Sequence, residues 1–399
     1  MKFNKTQVLI LAGGRGSRIK KLSNKIPKPL IKFENKDLLG LIIRNLTKYN
    51  FKEIIILAGY KGQQIKKKYH NKLINFVKIK CVIEKKRMGT WGSVIQNKKL
   101  ITNNFILLNG DTFFNYNFIK LKSINLKFDI NLILTKNHNY FENKKLTGLY
   151  INNKNHVIKK KNSTYINSGT YIIKKKILRK YQNQNMSIEN DVIEKKILNN
   201  EIGGTLSNDF LIDIGTKSNL KYAQEFLIEN LKKPAIFLDR DGVINYDSGY
   251  VYKFKNFKFK EGVLPGLKYL SKKNLYIFIV TNQAGIAKKK FLERDFYLLH
   301  KKLKNYFLKK DIFINDVIYC PFHNESLIKR YRKNSKFRKP GNLMIENLIK
   351  KWPVDRKKSF MIGDQKTDEI AANKSSLYFR YTENEFDKLV IKICKKRNI

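Results

Sequence analysis

Six short runs of β-branched and other apolar residues constrain this chain most: Val8-Leu9-Ile10-Leu11, Ile54-Ile55-Ile56-Leu57, Phe105-Ile106-Leu107-Leu108, Ala235-Ile236-Phe237-Leu238, Tyr276-Ile277-Phe278-Ile279-Val280 and Phe360-Met361-Ile362. Runs without polar alternation suit strands covered on both faces, as strands are in parallel sheets. Helical patterns such as Leu38 to Lys48 and Phe291 to Leu308 lie between them, and each run leads into Gly, Asn or Asp. Strand alternating with helix predicts an α/β chain with parallel sheets, whose ligands gather at the carboxyl ends of the strands. The series begins afresh after the polar stretch Leu220 to Lys233 and Pro234, so two domains are expected, 1–232 and 233–399.

The 399 residues carry 83 Lys+Arg against 32 Asp+Glu, a formal charge of +51. Such a charge ordinarily points to nucleic acid or an anionic membrane. Here it is spread in short runs, among them Lys66-Lys67-Lys68, Lys159-Lys160-Lys161 and Lys288-Lys289-Lys290, in a background rich in Asn and Ile. That evenness reads as solvated lysine faces rather than one basic face, so neither a nucleic acid nor a membrane is expected as partner. A positive field still steers small phosphorylated substrates inward. The three cysteines, Cys81, Cys320 and Cys394, are too few and scattered for a disulfide framework. The apolar run Val8 to Ala12 is too short for a signal peptide or membrane span. A cytoplasmic location is expected, and a homo-oligomer is compatible with everything read so far.

The first strand ends in Leu11-Ala12-Gly13-Gly14-Arg15-Gly16-Ser17-Arg18, and Pro27-Lys28-Pro29 follows shortly. Glycines let the backbone approach a triphosphate, while Arg18 and Lys28 can neutralise oxygens during phosphoryl chemistry. The spacing is neither a dinucleotide fingerprint nor a P-loop. This stretch resembles the signature of sugar-1-phosphate nucleotidyltransferases, which have a Rossmann-like, GT-A-like fold, and the likeness continues for about 230 residues. Glu84, Gly89 and Thr90, in Glu84 to Ser93, match the segment that frames the nucleobase, with Arg87 where the family has Pro and Trp91 where a small residue is commoner. Asp111, after Leu107-Leu108-Asn109-Gly110, and Asp213, in Phe210 to Thr216, match the family's pair of Mg²⁺-binding aspartates. Carboxylates plus substrate phosphates suit that cation. Asn167 and Gly169 in Asn167 to Tyr171, with Glu189 and Asp191 in Ser187 to Asp191, resemble sugar-binding segments. Read without the likeness, these two segments are a strand-end turn and a helix cap.

In the second half, Ala235 to Leu238 runs into Asp239-Arg240-Asp241-Gly242-Val243-Ile244-Asn245. An aspartate exposed at a strand end can attack phosphorus, and a carboxylate two residues on can protonate the leaving oxygen and then activate water. Thr281-Asn282-Gln283, Arg338-Lys339-Pro340 and Gly363-Asp364 with Asp368 complete a pattern that resembles haloacid-dehalogenase-like (HAD) phosphatases, a Rossmannoid fold here expected without a cap domain. The resemblance implies Asp239 as nucleophile and Asp241 as general acid/base. Thr281, Asn282, Arg338 and Lys339 become phosphate binders; Asp239, Asp364 and the Asp241 carbonyl become Mg²⁺ ligands. Asn282 to Ala287 and Arg338 to Gly341 are similar to the D,D-heptose 1,7-bisphosphate and histidinol-phosphate phosphatases, a group with a structural zinc loop. This chain keeps Cys320 but has Phe322, Ser335 and Phe337 at ligand places, with His323 displaced by one. Structural zinc takes about four ligands, so no zinc is expected, and packing of Tyr331, Phe322 and Phe337 should hold the loop instead.

The two resemblances join if a phosphatase removes the 7-phosphate of a heptose 1,7-bisphosphate and a transferase then activates the remaining 1-phosphate with GTP. The small-molecule partners are then an NTP and sugar phosphates, with Mg²⁺ in both domains. Two alternatives stand beside this: a mannose- or other hexose-1-phosphate nucleotidyltransferase fused to a histidinol-phosphate-type phosphatase, and a basic nucleic-acid-binding protein.

Overall fold

The computed structural model describes residues 2–19, 25–122, 126–136, 147–182 and 184–399. Its contacts divide the chain into two units, Met1–Ile228 and Glu229–Ile399. No helix among the described residues is long and apolar enough to cross a membrane.

In the first unit, Gln7–Ala12 pairs in parallel with Glu53–Ala58 on one side and Phe105–Asn109 on the other. Val77–Ile83 extends the ladder beyond Glu53–Ala58, also in parallel. The first three are the apolar runs of the sequence, buried as such runs require, whereas Val77–Ile83 alternates buried with more exposed residues. The expected all-parallel sheet is corrected in one respect. Tyr165–Ile173 lies antiparallel to both Phe105–Asn109 and Ile130–Lys136, and Ile202–Ser207 flanks the latter in parallel. Asn167 to Tyr171 is therefore no strand-end turn but the interior of a strand. The register slips between Asn167 and Tyr171, and Gly169 takes φ +70° at that bulge, a conformation that costs glycine little.

Trp91 sits on the helix Gly89–Gln96 and is 0% exposed, packed among Val94, Leu132 and Ile188 with its ring edge-on to Tyr181 at 5.3 Å. The bulky residue thus fills core and leaves the adjoining site its room.

The second unit is a five-stranded parallel sheet in the order Asp316–Cys320, Tyr276–Asn282, Ala235–Leu238, Phe360–Gly363, Tyr378–Tyr381. Helices Val263–Lys272 and Phe386–Lys396 pack together through Gly266 and Phe386. The expected helix over Phe291 to Leu308 is found as Glu293–Lys309. The central position of Ala235–Leu238 brings Asp239, Thr281 and Asp364 to one end of the sheet.

Replacing Trp91 by Ala should destabilise the first unit by about 3–5 kcal/mol, and by Phe clearly less, because the cost follows the cavity left in the core. Urea unfolding followed by circular dichroism measures both.

Candidate functional sites

The carboxyl ends of three strands of the first unit open on a cavity of about 300 Å³. Leu11, Ala12, Gly13, Gly14, Lys28, Glu84, Gly89, Thr90, Asp111 and Glu189 line it, joined by Pro29, Arg87 and Asn109, which the motif reading left out of the site. Backbone closeness explains the glycines. A Cβ on Gly59 would lie 2.8 Å from Gly13 Cα, and one on Gly13 would lie 3.2 Å from Glu84 Oε1. A Cβ on Gly14 meets nothing within 4 Å, so that stretch of backbone is open to a ligand. Gly89 has φ +69°, and a Cβ there would run into the Met186 carbonyl. Burial pushes the Glu84 carboxyl up, with the Ser93 hydroxyl opposing.

Asp111 and Asp213 come together through a two-stranded ribbon. Thr112–Phe114 pairs antiparallel with Leu211–Asp213, placing Asp213 opposite Thr112, and the Ile214 amide donates to the Asp111 carbonyl at 3.0 Å. Lys28 Nζ lies 3.4 Å from Asp111 Oδ2. Burial, then the charge of Asp111, raise the Asp213 carboxyl to about 6, against the pull of Lys28. Asp213 also accepts from Asn219 Nδ2 at 3.2 Å and from the Gly215 amide at 3.0 Å.

Glu189 stands on a π-type helical turn, Ile188–Ile193, and receives three hydroxyls: Tyr171 at 3.2 Å, Ser187 at 3.2 Å and Thr90 at 3.3 Å. Asn167 Nδ2 donates to the Tyr171 hydroxyl at 2.8 Å, and the Gly169 amide donates to Asn167 Oδ1 at 3.1 Å. Asn167 and Gly169 thus support Glu189 from behind the cavity wall. Asp191 accepts the Ser187 amide at 2.7 Å and Ser187 accepts the Asn190 amide at 3.3 Å, so this pair caps the turn. Among the described residues, Arg15, Gly16 and Arg18 do not line the cavity, Arg15 and Arg18 being exposed; the Ser17 side chain lies outside the described residues.

In the second unit, Asp239, Asp364 and Asp368 bring carboxylate oxygens within 4.8 Å of one another. Lys339 Nζ joins them, 3.0 Å from Asp239 Oδ1 and 2.5 Å from Asp368 Oδ1. Asp368, which the motif reading named without a role, is 0% exposed and accepts the amides of Asp364 at 3.2 Å and Gln365 at 3.1 Å. Asp364 Oδ1 is buried with no hydrogen-bond partner among the described residues, and a Cβ on Gly242 would collide with that carboxylate. An orphaned oxygen in a convergent acid set fits a divalent cation.

Asp241 belongs to a different arrangement. Its oxygens receive Arg240 Nη2 at 2.7 and 2.8 Å, Arg240 Nε at 3.1 Å, Asn245 Nδ2 at 3.0 Å and Gln283 Nε2 at 2.9 Å. Its side chain is not one of the three converging carboxylates. Thr281 Oγ1 accepts from the same Gln283 amide at 2.9 Å. Asn282 holds the Lys339 backbone from both sides, its Nδ2 donating to the carbonyl at 3.2 Å and its Oδ1 accepting the amide at 3.1 Å. Arg338 Nη1 is buried with no partner among the described residues. Cys320 is a free, buried thiol in the core, where Phe322 and Phe337 pack on it, and the Phe322 and Tyr331 rings lie 6.3 Å apart.

Burial raises the Asp239 carboxyl to about 7 despite Lys339. An unfolded Asp titrates near 3.9, so the folded protein holds the extra proton between the two values. This contribution to stability is complete below about pH 4 and is lost as pH rises through about 7. Asp239→Asn removes the dependence. In chelator, the melting temperature of the variant should gain on that of the parent by about 3 °C or more between about pH 5 and pH 8, as scanning calorimetry will show.

Residues 7–133 match the Nucleotidyl transferase family and residues 236–391 the Polynucleotide kinase 3 phosphatase family. The chain is 39% identical over 160 residues to the D-glycero-beta-D-manno-heptose-1,7-bisphosphate 7-phosphatase of Rhodopseudomonas palustris, which spans 40% of this chain and 89% of that protein. The D-glycero-alpha-D-manno-heptose-1,7-bisphosphate 7-phosphatase of Photorhabdus laumondii is 33% identical over 38% of this chain and 82% of its own length. Among solved structures, HddC from Yersinia pseudotuberculosis complexed with GMP-PN is 28% identical, with a TM-score of 0.48, over 56% of this chain and 99% of that one. The chain is a fusion of a nucleotidyltransferase domain with a HAD-type phosphatase domain, and through the second it belongs to the family of heptose-1,7-bisphosphate 7-phosphatases.

Proposed function

We propose that this chain carries out two consecutive steps: it removes the C7 phosphate of D-glycero-D-manno-heptose 1,7-bisphosphate and then transfers GMP from GTP to the heptose 1-phosphate, releasing pyrophosphate. The observation that carries the reading is the presence in one chain of two sites that set a lysine beside carboxylates at strand ends. One is a cavity walled by Lys28, Asp111 and Glu84; the other is the Asp239, Asp364, Asp368 and Lys339 cluster. The product of the second site is the acceptor that the first requires.

For the phosphatase step, Asp239 attacks phosphorus, forming an acyl phosphate as the bond to the C7 oxygen breaks, and Asp241 gives that oxygen its proton. Asp241 then takes a proton from the water that hydrolyses the acyl phosphate, regenerating Asp239 and releasing inorganic phosphate. To reach the substrate, Asp241 exchanges one of its hydrogen bonds from Arg240, Asn245 or Gln283. Thr281, Asn282, Arg338 and Lys339 hold the phosphate. Asp239, Asp364 and the Asp241 carbonyl would hold Mg²⁺, which supplies charge neutralisation between carboxylate and phosphate.

For the transferase step, an oxygen of the sugar phosphate attacks the α-phosphorus of GTP in line, and pyrophosphate leaves. The segment Leu11 to Ser17 offers backbone to the triphosphate, Lys28 neutralises its oxygens from the cavity wall, Arg18 joins it by swinging in from its exposed position, and Asp111 and Asp213 would hold Mg²⁺. Glu189, with Asn167, Gly169 and Asp191 behind it, serves the sugar hydroxyls. Guanine presents two adjacent donors, N1–H and N2–H, which one carboxylate accepts together. Glu84 on the cavity wall supports GTP for that reason.

The test is to supply each anomer of the bisphosphate with Mg²⁺, measure phosphate, then add each NTP and measure pyrophosphate. Phosphate from a bisphosphate followed by pyrophosphate with GTP is the expected result; phosphate from histidinol phosphate alone, with no NTP consumed, overturns it. Asp239→Asn should abolish phosphate release and leave pyrophosphate release from added heptose 1-phosphate intact, and Asp111→Ala should do the reverse. Glu84→Gln should lower kcat/KM for GTP by roughly tenfold to a hundredfold while that for other NTPs falls less, since an amide cannot accept both guanine donors.

A further inference from the structure

Residues 321–338 lead from the strand Asp316–Cys320 to Arg338. Asn282 holds the Arg338–Lys339 peptide through the Lys339 amide, and the loop that leads into Arg338 must hold it from the other side. Tyr331, buried within it, donates its hydroxyl to Glu293 Oε2 at 3.0 Å. Glu293 is the first residue of the helix Glu293–Lys309 and accepts a second hydroxyl, that of Tyr319, at Oε1. Tyr319 lies on the strand Asp316–Cys320 directly opposite Thr281, and its oxygen also meets the Tyr297 hydroxyl at 2.7 Å. One turn along the helix, Phe296 lies 4.2 Å from the Tyr319 ring and 5.8 Å from the guanidinium of Arg240, which grips Asp241. At its other side Tyr331 anchors the loop through its carbonyl, which accepts the His323 amide at 3.1 Å.

We propose that Glu293 is a positioning residue of the phosphatase half: the Tyr331–Glu293–Tyr319 hydrogen bonds staple the loop to the sheet and so set Arg338 where the substrate phosphate will meet it. This rests on the phosphatase reading above. Each bond has a carboxylate acceptor, the stronger class of hydrogen bond. Burial, then the bond to Glu293, raise the Tyr331 phenol, so it stays a donor at ordinary pH. The buried, unpartnered Arg338 Nη1 marks the group whose placement the staple controls.

The test uses the full chain with heptose 1,7-bisphosphate. Tyr331→Phe should raise KM about tenfold with kcat changed less than about twofold, the loss of one charge-assisted hydrogen bond. Trypsin should cut faster after Arg330, Arg332 or Lys333, while pyrophosphate release by the same preparation is unchanged. Glu293→Gln keeps an acceptor for one tyrosine and should fall between parent and Tyr331→Phe; it carries the test if Tyr331→Phe does not fold. Parental KM and cleavage in both variants overturn the proposal, as does a fall in kcat at constant KM or a loss of stability with no faster cleavage of the loop. Failure of the parent chain to release phosphate would instead overturn the phosphatase reading.

Discussion

Lys339 is 3% exposed, and an ammonium so far from water is tolerated only beside carboxylates that repay its desolvation. Asp239 and Asp368 both do this, and the Val280 carbonyl accepts a further bond at 3.0 Å. The surrounding architecture follows from that demand. Asp239 must end the central strand, where its amide still donates to Ile362 at 3.1 Å. Asp368 must stand in the first turn of the helix Lys366–Lys374, where the amides of Asp364 and Gln365 just before it hold its other oxygen, and Asn282 must fix the backbone on which Lys339 stands. Three carboxylates against one ammonium leave negative charge in excess, which burial expresses as the raised carboxyl of Asp239. The second site thus holds more carboxylate charge than Lys339 alone can offset.

The first unit meets the same problem in a more open setting. The Lys28 side chain keeps 11% exposure and that of Asp111 34%, and the pair stands at 3.4 Å rather than in tight contact. On the proposed reading a nucleotide triphosphate enters between these walls, and a sealed ion pair would have to be broken at each turnover. Asp213 is not open: burial, then the charge of Asp111, outweigh Lys28 and raise its carboxyl. Order is supplied instead by neutral partners. Glu189, with three hydroxyl donors from three segments, is held in place without any ligand, the preorganisation that positioning chemistry demands.

Strands and their terminal acids were legible in the sequence because a buried parallel strand is a continuous apolar word, and the residue after it has one place to go. Asp111, Asp239 and Asp364 all announce themselves this way. Partners that meet across long stretches of chain do not. Thr90 and Glu189 are 99 residues apart, and no local pattern says that one hydroxyl serves the other. Trp91 sits inside a nucleotide motif yet faces the core, because the helix that begins at Gly89 turns its side chain away from the cavity. Asp368 resembles an ordinary helix-capping acid, which it also is. The antiparallel Tyr165–Ile173 escaped because its glycine bulge reads locally as a turn. Glu293 gave no signal at all, since its importance lies in tyrosines from two other segments.

The charge of +51 acts on these sites in two opposed ways. A positive field draws phosphorylated substrates in and at the same time opposes a free divalent cation approaching the acid clusters. On the proposed reading, affinity for a cation would then come from short-range geometry, the oxygens of Asp239 and Asp364 with the Asp241 carbonyl, while Asp368 is engaged by Lys339. Salt shortens the reach of the field to about 10 Å at 0.1 M, so it weakens both long-range effects while leaving the buried contacts largely alone. Screening therefore slows substrate capture and relieves cation repulsion in the same solution. Net charge sets how fast phosphates arrive, and the few buried acids and lysines decide what happens to them.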